Sequence, residues 1–212
     1  ILLLMTVLTL LPAGLIMMTA FTRIIVVFGF LRMALATQQV PPTQVLTGLA
    51  LILTFMVMRP TFTNIKDKAL VPYLDAEITQ SEAFDRSLGE LRTFMFKQVA
   101  EQDLIEFGYM AGEEPPKWQT EDDVDTLILV PAFVTSELKR GFYMGFMLYL
   151  PFLVIDLIVS TVLISMGMLV LPPVLISMPF KLLLFVLVDG WTLVVRSLFQ
   201  SFNPIGPDGG GG

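Results

Sequence analysis

Asp156 and Asp189 stand inside long apolar stretches, and any chemistry in this chain would have to begin with them. There is no histidine and no cysteine. The usual general base, the commonest metal ligand and every thiolate site are therefore absent. Serine–histidine and cysteine–histidine catalysis cannot occur within the chain. A paired-aspartate mechanism would need the Gly-x-Gly-Asp and Tyr-Asp contexts of intramembrane aspartyl proteases. Here the contexts are Val-Ile-Asp156-Leu and Val-Asp189-Gly. A carboxylate at bilayer depth is costly, so such residues pair with a cation or line a polar cavity. Two readings follow. Asp156 and Asp189 are structural partners of Lys181, Arg140 or a neighbouring subunit, or they are ion ligands of a secondary transporter or channel subunit. Nothing in the residue pattern calls for a metal or a cofactor, and an enzyme is not expected.

The apolar surroundings carry two further patterns. Gly141 and Gly145 form Gly-x-x-x-Gly on an apolar segment, a spacing that lets helix backbones approach closely. The chain has 13 methionines. Met166 and Met168 lie just before Pro172-Pro173, where a break would project adaptable thioether side chains; elsewhere methionine reads as apolar filler.

The elements that position these residues are set by hydropathy. Hydrophobic residues make up 55% of the chain and charged residues 15%, well under the roughly 25% of soluble domains. Mean hydropathy is +0.76. Residues 141–180 hold one charged side chain, Asp156. Since about 20 apolar residues span a bilayer, this tract suffices for two helices, broken at Pro172-Pro173 and Pro179. Four apolar blocks result: residues 1–22, 33–58, 141–170 and 180–199. They flank an acidic insert, residues 59–125, which carries a net charge of −8 within a total of −6. Such an insert does not bind nucleic acid, and no basic patch stands elsewhere. Arg23, Arg32 and Lys181, between paired blocks, would face the cytoplasm by the positive-inside tendency, with the insert on the other side. Within the insert, Phe84, Leu88, Leu91, Met95 and Val99 share one helical face, and Thr79 with Glu82 has capping-box spacing. The expectation is an all-α chain of apolar helical hairpins with an acidic, mostly helical insert. Its segments are 1–58, 59–125, 126–202 and a flexible glycine-rich tail at 203–212. The start at Ile1 fits a precursor with a cleaved signal peptide.

Three runs, in order, then add a resemblance. PAFVTSELKRGFYMGF begins at Pro131, PFLVIDLIV at Pro151, and VLPPVLISMPFKLLLFVLVDGWTLV at Val170. Together with RIIVVFGFLR (residues 23–32) and the turn at 38–42, they resemble the FliP family of flagellar type III secretion export-gate proteins. The resemblance implies a pore-forming subunit of a protein export gate. Its partners would be further copies of itself, five in all, together with FliQ, FliR and other export components. Unfolded flagellar subunits would pass through it. It implies helical hairpins stacked into a ring or cone, largely on the periplasmic side of the bacterial inner membrane, within the flagellar basal body. It also implies a gate at Met166, Gly167, Met168, Leu169 and Val170, although the family pattern would place methionine at 169 and 170. Tyr143 stands where a polar residue is the family expectation. Glu137, Lys139, Asp156, Lys181 and Asp189 would be buried polar partners between helices or subunits.

Overall fold

The computed structural model describes residues 14–37, 41–112, 118, 120–168 and 171–202. Among these residues the chain is all-α, with no strand. Seven helices position everything discussed below. They are α1 (Phe21–Ala34), α2 (Thr43–Leu74), α3 (Gln80–Gln98), α4 (Glu101–Met110), α5 (Thr126–Ser165), α6 (Pro173–Leu187) and α7 (Gly190–Phe202). The first apolar block lies mostly outside the described residues.

α2 runs on past the edge of the apolar block, because its Thr43–Ile65 portion passes into a π-helical turn, Lys66–Leu70, and a last α-turn, Val71–Leu74. Pro72 explains the defect. It has no N–H to give the Lys68 carbonyl, the acceptor four residues back, and its ring crowds that carbonyl. The Val71 N–H bonds instead to the Lys66 carbonyl, a five-residue step. The stranded Lys68 carbonyl accepts from Arg86 Nη1 of α3 at 3.1 Å. Glu90, one turn further along α3, accepts from Lys68 Nζ at 2.6 Å and Asn64 Nδ2 at 2.9 Å. Two α3 side chains thus hold the irregular stretch of α2.

α3 starts at Thr79, whose hydroxyl accepts from the Glu82 N–H at 3.3 Å. Glu82 turns its own carboxylate to Arg86, 2.7 Å away, one helical turn on. The buried residues of α3 are Leu91, Phe94, Met95 and Gln98, so only its C-terminal half packs, and Phe84 is exposed. A complete capping box occurs instead at Thr120 and Asp123, around the 3-10 turn Glu121–Asp123. Arg92 donates to Thr126 Oγ1 and to the Glu121 and Val124 carbonyls, fixing the entry into α5.

α5 is a single 40-residue helix that begins well before the apolar tract. It ends in a Schellman motif. Gly167 takes φ +73°, the Met168 N–H bonds to the Leu163 carbonyl at 2.9 Å, and the Gly167 N–H bonds to the Ile164 carbonyl at 3.0 Å. Pro173 then opens α6, a position where its missing N–H costs nothing. Pro179 lies inside α6 and does not end it, contrary to the break expected there. α6 and α7 meet at a 65° bend around Val188 and Asp189.

By length and composition, two helices could cross a membrane, Thr43–Leu74 and Thr126–Ser165, or three candidate spans exist if the bent α6–α7 pair counts as one. Three of the four apolar blocks of the sequence fall largely within these candidates, and the first lies mostly outside the described residues. α1, with 14 residues, is shorter than the roughly 20 a span requires.

Contacts divide the chain into two units. One contains Leu51–Arg140 with the described residues up to Arg23; the other contains Ile24–Ala50 and the described residues from Gly141 on. In the first, Met58, Met95, Leu129 and Phe133 are fully buried, with Phe94 edge-on to Phe133 at 6.0 Å between centroids. In the second, the core includes Phe28, Leu31, Phe152, Phe185, Val194 and Leu198.

Candidate functional site

Each unit holds a cluster of polar residues inside its apolar helices. In the second unit, Asp156 projects from α5 toward α6. Lys181 Nζ donates to its Oδ2 at 2.6 Å, and the Ser177 hydroxyl donates to its Oδ1 at 2.6 Å. Lys181 is 2% exposed at its side chain and Asp156 21%. Ser177 and Lys181 lie four residues apart on one face of α6, so a single carboxylate reaches both. Ser177 carried no signal by itself in the sequence; only that spacing from Lys181 could have found it.

The first unit holds a deeper cluster. Arg23 Nε donates to Glu137 Oε2 at 3.0 Å, and its Nη2 donates to Glu137 Oε1 and, at 3.0 Å, to Gln98 Oε1. The Arg23 and Glu137 side chains are both at 0% exposure. Arg140 Nη1 adds a bond to Gln98 Oε1 at 3.3 Å. α1 and α3 contribute one member each and α5 two. In the sequence Arg23 was only a charge between apolar blocks; its partner is 114 residues away.

Lys139 is not buried. Its side chain is 66% exposed and reaches Asp103 with the ammonium at its tip. It follows Glu137 by two residues on α5, so the two side chains cannot share a helical face. Asp103 also accepts from the Ser136 hydroxyl at 2.7 Å, and that hydroxyl accepts from the Ala100 N–H at 3.0 Å at the start of α4. Burial alone would raise the Asp103 carboxyl. The hydrogen bonds from Lys139 and Ser136 outweigh it and hold the group below the usual carboxylate range. Asp189 is also exposed, in left-handed backbone at φ +51° on the α6–α7 bend, and it takes no part in the Asp156 cluster.

The two glycines of α5 are buried. A Cβ on Gly145 would lie 2.5 Å from the Phe30 ring of α1, so the missing side chain is what lets Phe30 seat there. Phe142 meets the same ring edge-on at 5.3 Å. Of the gate residues, Met166 and Met168 are exposed at 62% and 42% on the α5–α6 turn, and Gly167 is the left-handed helix stop. Leu169 and Val170 lie outside the described residues. Tyr143 is exposed on α5. No group of three or more acidic side chains that could hold a metal ion occurs among the described residues.

Long apolar helices whose buried charges are held in internal ion pairs, with wide apolar faces left exposed, define a membrane-associated helical protein. The FliP family profile matches residues 4–198. The flagellar biosynthetic protein FliP of Bacillus subtilis is 51% identical over 201 residues, covering 95% of this chain and 90% of that protein. Its counterpart from Pectobacterium carotovorum is also 51% identical, over 95% of this chain and 77% of the relative. That from Borreliella burgdorferi is 47% identical over 204 residues, covering 95% and 80%. The chain belongs to the FliP family.

Proposed function

We propose that this chain is a pore-forming subunit of the flagellar type III protein export gate, through which unfolded flagellar subunits cross the inner membrane. Membership of the FliP family along nearly its whole length supports a role in flagellar biosynthesis. The observation that carries the structural half of the reading is the state of α5. Its apolar stretch has mean hydropathy 2.3, and only 11% of that stretch is buried within the chain. Leu157, Ile158 and Ile164 on α5 and Val186 and Leu187 on α6 are all more than half exposed. Each such side chain is worth about 1.5–3 kcal/mol when buried, so faces of this kind are covered by neighbouring subunits or lipid in the working protein. Further copies of this chain, with FliQ and FliR, are the proposed cover for most of these faces, and the exposed methionines of the α5–α6 turn are the proposed constriction.

The test is co-expression with the FliQ and FliR proteins of the same organism, followed by purification and particle reconstruction. A ring-like hetero-oligomer with the α5–α6 turns around a central axis is expected. A monomer that binds a small solute at Asp156 would sink the proposal and favour a transporter.

A further inference from the structure

A cavity of about 450 Å³ lies in the second unit, lined by Arg32, Met33 and Thr37 at the end of α1, Tyr149 and Asp156 of α5, and Lys181 of α6 among others. Its charge is unbalanced. Asp156 is already matched, since Lys181 and Ser177 each donate to one of its oxygens. Arg32 therefore leaves the lining with one net positive charge. The guanidinium has five N–H donors. One bonds to Thr43 Oγ1 at 2.9 Å, and the rest meet no acceptor among the described residues. The Tyr149 hydroxyl likewise has no hydrogen-bond partner among them, although the residue is half-buried. An arginine fork with spare donors, a free phenol and a nearby ammonium in one cavity suit a tetrahedral oxyanion.

The cavity walls decide the source of that anion. Met33 and Val174, which also line it, are exposed at 61% and 49%. α5 continues on both sides with exposed apolar residues such as Leu150 and Leu157. A free hydrated phosphate gains nothing from these surfaces, whereas a phosphate carrying acyl chains does. Basic pockets between helices of membrane proteins hold anionic headgroups on this principle. We propose that this cavity binds the headgroup phosphate of an anionic phospholipid, with Arg32 and Tyr149 as its donors and the acyl chains lying along the exposed face of α5. This goes beyond the export reading and does not depend on it.

The experiment uses the full chain in its native complex, reconstituted in discs of phosphatidylcholine containing phosphatidylglycerol and then released gently for native mass spectrometry. The parent should retain phosphatidylglycerol in preference to phosphatidylcholine. Arg32→Gln should lower that retention about tenfold or more, the size expected when one charge-assisted contact is lost. Tyr149→Phe, which preserves the ring and its packing, should lower it several-fold in a complex of normal size. Arg196→Gln, on the exposed side of α7, should leave it unchanged. Retention unaffected by both Arg32→Gln and Tyr149→Phe would overturn the proposal. So would equal losses in all three variants, which would mark a non-specific lipid shell. Displacement of the lipid from the parent by inorganic phosphate would place a free anion in the cavity and overturn the lipid assignment.

Discussion

Glu137 and Arg23 are the most consequential pair at the residue scale, because neither side chain touches solvent. Removing one member of a buried pair strands the other charge and typically costs about 3–5 kcal/mol, whereas replacing both with apolar groups is often neutral. Glu137→Ala should therefore lower the thermal stability of the purified protein sharply, and Arg23→Met with Glu137→Leu should recover much of the loss. The comparison is a melting measurement in one detergent; a double variant as unstable as the single would show that the pair itself is required. Asp103 gives a pH prediction. Its carboxyl is held below its ordinary value, so its contribution to stability is present above the unfolded carboxylate pKa of about 3.9 and is lost as pH falls through the lower folded value. Asp103→Asn should flatten the acid side of the stability profile below about pH 4 while lowering stability at neutral pH. Lys139, largely exposed, contributes to this through a bond that salt weakens.

Elements show where the chain could be read from its residues and where it could not. The end of α5 was legible from Pro172-Pro173, whereas Gly167, expected only as part of a gate, is the left-handed stop. Pro179 was misread as a break; one proline in the middle of an apolar helix does not stop it when both sides continue to pack. The cap at Thr79 was legible from spacing, but its reciprocal half was not, since Arg86 competes for Glu82. The apolar stripe of α3 was half right, because burial begins only at Leu91 and takes in Phe94, which lies off the stripe. No pattern in sequence could announce that Arg23 finds Glu137, or that α3 mends the π-turn of α2. The contact of Gly145 with Phe30 gives the test at this scale. Gly145→Leu would drive Cβ and further atoms into the Phe30 ring, and overpacking of this kind costs about 1–3 kcal/mol or more. Assembly, read as the yield of complex by size-exclusion chromatography, should fall. Gly145→Ala with Phe30→Ala should restore it better than Gly145→Ala alone, because the second change removes the atoms that clash. Equal yields for these two would assign the defect to a contact other than Phe30.

At the scale of the whole molecule, the exposed apolar faces and the internal ion pairs point the same way. The buried charges of the apolar helices, Arg23, Glu137 and Lys181, are paired within the chain, so what those helices offer their surroundings is mostly apolar surface. The α5–α6 turn is the exception in kind, because it presents flexible thioethers at a fixed break. Gly167 holds a left-handed conformation that ends α5, and Pro173 starts α6, so Met166 and Met168 are displayed just past a defined helix end while their own side chains stay adaptable. Repeated around a ring, such corners would close a pore to ions by dewetting and still part for an unfolded chain. Under the proposed export role, shortening these side chains should loosen the seal without removing the corner. Met168→Ala should raise small-solute leakage modestly in cells expressing the full complex, and deletion of residues 166–169 should raise it much more. Assembly should survive Met168→Ala, which leaves Gly167 and the Asp156–Lys181 pair untouched; the deletion also removes Gly167, so its conductance is read per assembled complex. The measurement is ionic conductance of the reconstituted complex beside the amount assembled. A deletion variant that assembles fully and conducts no more than the parent would place the seal in another part of the gate.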